Sequence, residues 1–308
     1  EHVAAIAGEG ADEGAGLRIT GPVEQFAVTA PAFLPERVTG TWKHIFLAVK
    51  AHHTEAATRA LTPHLAQDGY VLSLQNGLCE TVIQRIVGRD RTMGAFVNFS
   101  ADWMGPGEIL FGGRGAVVLG EVTGQMTPRL AELHKVMLDF EPNAITTPEI
   151  WGYLWGKLGY GSMLFAQALG MAGIADCLAR PELLPLWRAL GREVNEVTLA
   201  EGVAPKGFNG FDPAAFMPNA DPAAAARAVA AMVEFNRPNA KTHSGVWRDL
   251  AIRKRRTEVD VQIAPIYEIG ARHGIECPTV RRLVAMIHEV ENGTRALNDD
   301  NLLELLPR

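Results

Sequence analysis

Short, continuous apolar runs alternate with helix-periodic segments through the first half of the chain. Three such runs, KHIFLAVK, GYVLSLQNG and TMGAFVNF, begin at residues 43, 69 and 92. Apolar runs of this length that alternate with helices are typical of βαβ units, whose parallel sheets are buried on both faces. The pattern therefore predicts an α/β domain built on a parallel sheet.

The end of this first part carries weaker strand signals. The segments GEILFGG (107–113) and AVVLGE (116–121) predict a hairpin or a pair of edge strands. A helix is predicted over 127–140, and NAITT (143–147) is predicted as a last strand. We therefore place the end of the α/β domain at residue 147.

From Pro148 onward the sequence shows only helical patterns, separated by Gly, Pro and Asn residues. The clearest of these patterns span 221–235, 257–274 and 278–293. The change of character predicts two domains, 1–147 with the sheet and 148–308 with helices alone. A crevice between two such domains is a common place for a small-molecule site.

Composition argues against several classes of function. The 308 residues carry a net charge of −6 without a Lys/Arg-rich face, which argues against nucleic acid as the main partner. The three cysteines form no CxxC motif, so we expect a reducing, cytoplasmic setting. The pair His52-His53 lacks a second ligand cluster at zinc-like spacing, and we expect no metal site.

One charged residue, Lys157, interrupts an otherwise uncharged stretch from residue 150 to 175. The part from Leu158 to Ala175 has the length of a membrane span, but its glycines dilute the hydrophobicity. We therefore expect a buried helix of a soluble domain and no membrane partner. An ammonium removed from water is costly unless it is paired or its pKa falls, so Lys157 either extends to solvent or has a function.

Polar residues directly follow two of the predicted strands. Lys50 comes after IFLAV, and Gln75-Asn76-Gly77 comes after YVLSL. Ligands of parallel sheets bind outside the carboxyl ends of the strands, so both groups are expected at one edge of a crevice. The alternative is that the Asn-Gly pair only forms a turn and that Lys50 is solvated. Cys79 has no defined base partner and is expected to be a small buried side chain.

Two further segments imitate known local motifs. In RRTEVD, Thr257 stands three residues before Asp260, as in a capping box, and Glu258 falls in the first helical turn. Glu258 then either serves only the helix dipole or points into the crevice. The stretch GEGADEGAG (8–16) resembles a phosphate-binding loop, but its spacing is wrong, no strand precedes it, and its acidic residues would repel a pyrophosphate.

Four short motifs occur in a fixed order along the chain: VKA with Lys50, QNG with Asn76, WGKL with Lys157 and TEVD with Glu258. In this order they resemble the ketopantoate reductase family, whose members reduce 2-dehydropantoate to pantoate with NADP. The similarity runs from about Leu17 to about Asn292. It implies a Rossmann-like parallel sheet domain followed by an all-α domain, and a small keto acid as the partner. A homodimer formed through the helical domain is compatible with it.

The resemblance also implies roles for individual residues. Lys157 corresponds to the catalytic lysine of the family and is expected to protonate the carbonyl oxygen as a general acid. Further implied are the catalytic residues Asn76 and Glu258, the cofactor-binding residues Lys50, Asn76, Ala101 and Glu258, and the substrate-binding residues Asn76, Gly161 and Ser244.

The chain also departs from the family pattern. The family opens with a strand and a GxGxxG loop that binds the pyrophosphate; neither is visible here, so about thirty residues are expected to precede Glu1. Where the family has two substrate-binding asparagines, this chain has Gly161 and Phe165, and one residue is inserted between Asp249 and Glu258. The expected substrate is 2-dehydropantoate or a close analogue. The alternatives are a reductase for a different keto acid and a non-catalytic binding or assembly protein that has lost its nucleotide loop.

Overall fold

A mixed sheet organises the first half of the protein. The computed structural model describes residues 1–8, 16–239 and 241–307. The strands found there are β1 (Leu17–Thr20), β2 (Phe26–Val28), β3 (Trp42–Leu47), β4 (Leu65–Ser73), β5 (Thr92–Gly105), β6 (Glu108–Glu121) and β7 (Ile145–Thr146). They lie in the order β2-β1-β6-β5-β4-β3, and β7 pairs with β6.

The strands of this sheet run mostly parallel. Strands β3, β4 and β5 are parallel to one another, as β6 is to β1 and to β7. Two pairs, β1–β2 and β5–β6, are antiparallel. The predicted α/β class, a mostly parallel Rossmann-like sheet followed by a helical part, is confirmed.

The hairpin predicted between 107–113 and 116–121 is wrong. Both segments belong to the single strand β6, which pairs along its length with β5. The glycines that interrupt the apolar pattern mark a close approach of the two strands, because a Cβ at Gly115 would overlap the carbonyl oxygen of Asn98. The register of the pair shifts next to this point, between Asn98 and Ser100. Glycine inside a strand often marks such an irregularity.

Both faces of the sheet are covered. The helices of this part are α1 (His2–Ala7), α2 (Thr54–Leu61), α3 (Glu80–Val87) and α4 (Pro128–Phe140). Leu72 and Leu119 pack with α4 on one face, and Val71 packs with α2 and α3 on the other. The alternation follows from the two-residue period of a strand. Most of the glycine-rich stretch 8–16 lies outside the described residues.

The remainder of the described chain is helical. It contains α5 (Ile150–Gln167), α6 (Ile174–Leu178), α7 (Leu184–Ala200), α8 (Pro222–Asn236), α9 (Gly245–Ala251), α10 (Val259–Gln262), α11 (Ala264–Arg272), α12 (Pro278–Glu291) and α13 (Asp300–Glu304). Helix α5 is buried along most of its length, and its Ile150 and Leu154 share one core with Phe96 of β5 and Trp187 of α7. In the part of the chain that the structure describes, we find no helix with the length and apolar character that a bilayer crossing requires.

The prediction of one helix over 257–274 is wrong. Two helices, α10 and α11, occupy this segment, and Pro265, which has no backbone N–H, stands at the start of the second. The predicted capping box is absent as well. The hydroxyl of Thr257 accepts from the backbone N–H of Val259 and donates to Oε1 of Glu291, while Asp260 pairs with His288.

Candidate active site

The loops that follow β3 and β4 meet at one edge of the sheet. The amide of Gln75 donates to the carbonyl oxygen of Val49 at 2.8 Å, which joins the two loops. Lys50 and Asn76 line the same cleft. Gly77 has a φ of +90°, and a Cβ there would lie 3.3 Å from the carbonyl oxygen of Val261. The Asn-Gly pair therefore forms a tight turn and also places Asn76 in the cleft.

Lys157 on α5 is held by the sheet. Its Nζ donates to Oδ1 of Asn76 and to the carbonyl oxygen of Val97, both at 2.6 Å. It also lies 5.5 Å from the ring centre of Phe96. Of the two alternatives for this residue, extension into solvent or a position in a site, the geometry supports the second.

The surroundings of Lys157 disfavour its charge. Burial lowers the pKa of Lys157 to about 8, and the carboxylates of Glu80 and Glu258 oppose this shift. An amine with a pKa of about 8 is mostly protonated at neutral pH and gives up its proton more readily than an ordinary lysine. The site thus contains a group suited to proton donation.

Glu258 connects the helical part with the end of β3. Its Oε2 accepts from Nζ of Lys50 at 2.6 Å, and its Oε1 accepts from the backbone N–H of Ala51 at 2.7 Å. Asp249 lies 3.6 Å from the same lysine. Glu258 therefore faces the crevice, and a role limited to the dipole of α10 does not describe its contacts.

A small cavity of about 160 Å³, the inner chamber, lies next to Lys157. Its wall has a polar part and an apolar part. The polar part includes Asn76, Asn98, Lys157, Ser244 and Glu258, and the apolar part includes Leu164, Phe165, Val246 and Ile263. A chamber with these two kinds of wall suits a small molecule with one polar end and one apolar end.

Gly161 and Ser244 also line the inner chamber. Gly161 lies one turn beyond Lys157 on α5, and a Cβ built on it would meet no atom within 4 Å. Ser244 is the N-cap of α9, where its hydroxyl oxygen accepts from the N–H of Trp247. The proton of that hydroxyl stays available for a ligand, because capping uses only the oxygen.

A larger cleft of about 940 Å³, the outer cleft, shares Lys50, Asn76, Lys157 and Ser244 with the inner chamber. Ala101 on β5 lines this cleft. The cations Lys241, Arg253 and Arg255 line it too. Positive groups of this kind bind phosphate and carboxylate oxygens, so this is where the described chain could hold an anionic cofactor.

The structure thus brings together all seven residues that the sequence singled out, since each lines the inner chamber, the outer cleft or both. Sequence reasoning missed Asn98 and Asp249. Asn98 lies near the end of the third predicted strand, so the rule that pointed to Lys50 and Asn76 applies to it as well. Asp249 sits on a short helix far along the chain and carries no comparable signal.

Two other candidates take no part in this geometry. Burial raises the pKa of the Cys79 thiol to about 12, which leaves no thiolate near neutral pH. His52 and His53 are exposed and contact each other at 3.1 Å. Among the described residues, no group of three or more His, Cys, Asp or Glu side chains is arranged to hold a metal ion.

Comparison with known proteins places this site in a family. The family model for ketopantoate reductase PanE/ApbA matches residues 7–124, and the model for the C-terminal part of the same family matches residues 149–291. A 2-dehydropantoate 2-reductase of Archaeoglobus fulgidus is 26% identical over 249 residues, which cover 80% of this chain and 76% of the relative.

Solved structures share the fold. A PanE/ApbA family ketopantoate reductase from Ralstonia eutropha JMP134 aligns with a TM-score of 0.74 at 24% identity, over 90% of this chain and 85% of that one. D-mandelate dehydrogenase, solved with NADH and anilino(oxo)acetate, aligns with a TM-score of 0.75 at 18% identity over the same shares. The two family matches together span most of the sequence, and this chain belongs to the ketopantoate reductase PanE/ApbA family.

Proposed function

We propose that this protein reduces a 2-keto acid to the 2-hydroxy acid with NADP as cofactor in its reduced form, and that Lys157 is the general acid. Membership of the ketopantoate reductase family indicates an oxidoreductase. The observation that carries the finer proposal is the position of Lys157. Its ammonium is bonded to Asn76 and Val97 and lines both the inner chamber and the outer cleft.

The reduction of a ketone requires a hydride at the carbon and a proton at the oxygen. A bound nicotinamide supplies the hydride. Lys157 donates a hydrogen bond to the carbonyl oxygen, stabilises the negative charge that develops there, and transfers its proton to it. Asn76 orients the amine by accepting a hydrogen bond from it, and Glu258 holds Lys50 beside the reacting groups by an ion pair.

The outer cleft fits a dinucleotide in size and charge. Its volume of about 940 Å³ lies at the upper end of the range for cofactor sites. Lys50 and the arginines of its wall suit phosphate groups. We propose that Lys50, Asn76, Ala101 and Glu258 hold the cofactor, and that it is NADP. Fluorescence titration with NADPH and NADH tests this choice, and tighter binding of NADH would overturn it.

We propose 2-dehydropantoate or a close analogue as the substrate. Asn76 and Ser244 supply hydrogen-bonding groups for its polar oxygens, and Gly161 leaves room beside them. With this substrate the reaction would belong to pantothenate biosynthesis, and we propose that the protein acts in the cytoplasm.

A different keto acid is the second candidate, and a specific observation favours it. Gly161 carries no side chain, and Phe165 and Leu164 make the adjoining wall apolar. Such a wall suits an alkyl or aryl substituent better than a hydroxyl group. D-mandelate dehydrogenase, which shares the fold, was solved with anilino(oxo)acetate, an oxo acid that carries an aromatic ring.

A panel of keto acids separates these candidates. The consumption of NADPH is measured with 2-dehydropantoate, 3-methyl-2-oxobutanoate and phenylglyoxylate. The highest kcat/KM with 2-dehydropantoate supports the first candidate, and preference for either of the others supports the second. Cofactor binding without turnover of any keto acid would contradict both and favour a binding or assembly protein.

The proposal includes the division of labour within the chain. Residues 1–147 would supply most of the cofactor contacts, with Glu258 added from the helical part, and residues 148–308 would supply the catalytic lysine and most of the substrate chamber. A homodimer formed through the helical part belongs to the same proposal. Light scattering on the purified protein measures its mass, and a monomer at micromolar concentration would contradict this part.

A further inference from the structure

Glu80 is a buried carboxyl group that the proposed mechanism does not use. It is the first residue of α3 and has no solvent exposure. Neither of its carboxyl oxygens has a hydrogen-bond partner of normal geometry among the described residues. The hydroxyl of Ser73, also fully buried, is the polar neighbour of Glu80; it meets no hydrogen-bond geometry in full but lies close enough to favour the carboxylate. A carboxyl group in this state is costly and calls for an explanation.

The carboxyl group lies behind the candidate active site. A Cβ built on Gly94 of β5 would lie 3.6 Å from Oε1 of Glu80 and 3.0 Å from Ile150 of α5. Glu80 therefore packs against the strand that binds Lys157 through Val97, and close to the helix that carries Lys157. It also follows Asn76, the second acceptor of Lys157, by only four residues.

The charged groups around Glu80 indicate that it interacts electrostatically with Lys157. The positive charge of Lys157 lowers the pKa of Glu80. In return, the negative charge of Glu80 raises the pKa of Lys157, and it does so more than that of Glu258. Cys79, its neighbour in sequence, stays a neutral thiol because burial raises its pKa to about 12. Burial also raises the pKa of Glu80 to about 7, so the group is mostly ionised only above neutral pH.

We propose that Glu80 is a positioning residue for Lys157, a buried negative charge that holds the lysine in its ammonium form. The inference rests on the proposed role of Lys157 as proton donor. Without Glu80, the desolvated amine would lose its proton at a lower pH, and less of the protein would carry the acid form. Glu80 touches neither cavity, so it acts through Lys157 alone.

The test compares wild type with Glu80→Gln and Glu80→Asp. The rate at which an amine-reactive acylating reagent modifies Lys157 is followed against pH by peptide mass spectrometry, which requires no substrate. In Glu80→Gln we expect the midpoint to fall by about one pH unit, the lower end of what a nearby opposite charge supplies. Glu80→Asp, which keeps the charge, should restore much of the shift. An unchanged or higher midpoint in Glu80→Gln would overturn the proposal.

A second readout links the inference to catalysis. With a reducible keto acid, the pH above which kcat declines should fall in Glu80→Gln by the same amount as the labelling midpoint. If no keto acid is reduced by wild type, the proposed function fails, yet the labelling experiment still decides whether Glu80 controls Lys157. If Glu80→Gln does not fold, Glu80→Met removes the charge without an unpaired amide and carries the same expectation.

Glu193→Gln is the matched control. Glu193 is also a buried carboxylate, but it accepts from the backbone N–H groups of Thr279 and Val280 at the start of α12. Its loss should lower the thermal stability and leave the labelling midpoint of Lys157 unchanged. An equal shift of the midpoint in both variants would point to a general effect of destabilisation and would also overturn the proposal.

Discussion

Two opposing influences meet at Lys157. Burial among apolar neighbours disfavours the ammonium, while two acceptor oxygens and two carboxylates favour it. The balance leaves the amine with a pKa of about 8, within about one unit of neutral pH. A proton donor is most effective when its pKa lies near the operating pH.

The direction of the pH dependence follows from this balance. In the proposed mechanism reduction requires the protonated amine, so kcat/KM for the keto acid should be level below about pH 8 and fall above it. Oxidation of the hydroxy acid requires the neutral amine, so it should rise through the same range. Steady-state rates between pH 6 and 10 in both directions measure this. A decline of the reduction rate centred near the ordinary lysine pKa of 10.5 would contradict the environment described for Lys157.

Removal of the amine is the direct test of its role. Lys157→Met should lower kcat by at least about a hundred-fold, the usual range for a lost general acid. The folded state should remain, because the lost hydrogen bonds are offset by the removal of a desolvated charge. Lys135→Met, on the exposed side of α4, is the control and should leave kcat unchanged. Full activity in Lys157→Met would exclude the proposed role.

At the residue scale, sequence reasoning found the groups that stand at the ends of predicted strands or alone among apolar neighbours. Lys50, Asn76 and Lys157 belong to this class. It did not find Asp249 or Glu80, because their positions in the site depend on how distant elements pack. A glutamate in the first turn of a helix looks like an ordinary dipole partner until its burial is known.

At the scale of elements, continuous apolar runs predicted β3, β4 and the start of β5. The expected burial on both faces is confirmed for the end of β4 and the start of β5 but is wrong for β3, an edge strand that is exposed along most of its length. The continuity of β6 was not predicted, because its glycines resemble turn signals. In the structure they mark the close approach of β5. The split between α10 and α11 was missed because apolar spacing continued across Pro265. In both cases a local backbone requirement overrode the periodic pattern.

The close approach at Gly115 leads to a prediction. A methyl group there would displace the β5 backbone at Asn98, next to the carbonyl of Val97 that holds Lys157. We expect Gly115→Ala to destabilise the protein by about 1–3 kcal/mol, as overpacking does, and also to lower kcat. Urea denaturation and steady-state rates measure the two effects.

Gly105→Ala is the matched control for this change. Gly105 ends β5, the strand that Gly115 of β6 approaches, and a Cβ on it would meet no atom within 4 Å. This variant should retain both stability and activity. If the two variants behave alike, the overlap at Gly115 does not constrain the site.

At the scale of the whole molecule, Glu258 is one of the side chains that join the sheet part to the helical part. Glu258 accepts from Lys50 and from the backbone of Ala51, which both follow β3. The two parts of the active site come from segments more than 200 residues apart in sequence, since these bonds join positions separated by 208 and 207 residues. The relative placement of cofactor and acid therefore depends on this junction.

Loss of the junction should weaken the fold as well as the reaction. Glu258→Ala leaves the N–H of Ala51 without its acceptor, and we expect a loss of about 1–3 kcal/mol in the free energy of unfolding. Asp68→Ala removes an ion pair of similar length with Lys43, but both partners are about two-thirds exposed, so its effect should be much smaller. Equal losses in the two variants, measured by urea denaturation, would contradict the importance of the junction.

Helix α5 presents an amine at one turn and bare backbone at the next. Because residue 161 meets open space, side chains of many shapes could be introduced there while the buried remainder of the helix keeps the amine in register. The proposed proton donor and the residue beside the proposed substrate thus lie on separate turns of the same helix. Under the proposed function, a single substitution at residue 161 would therefore change which keto acid fits while the proton donor stays in place.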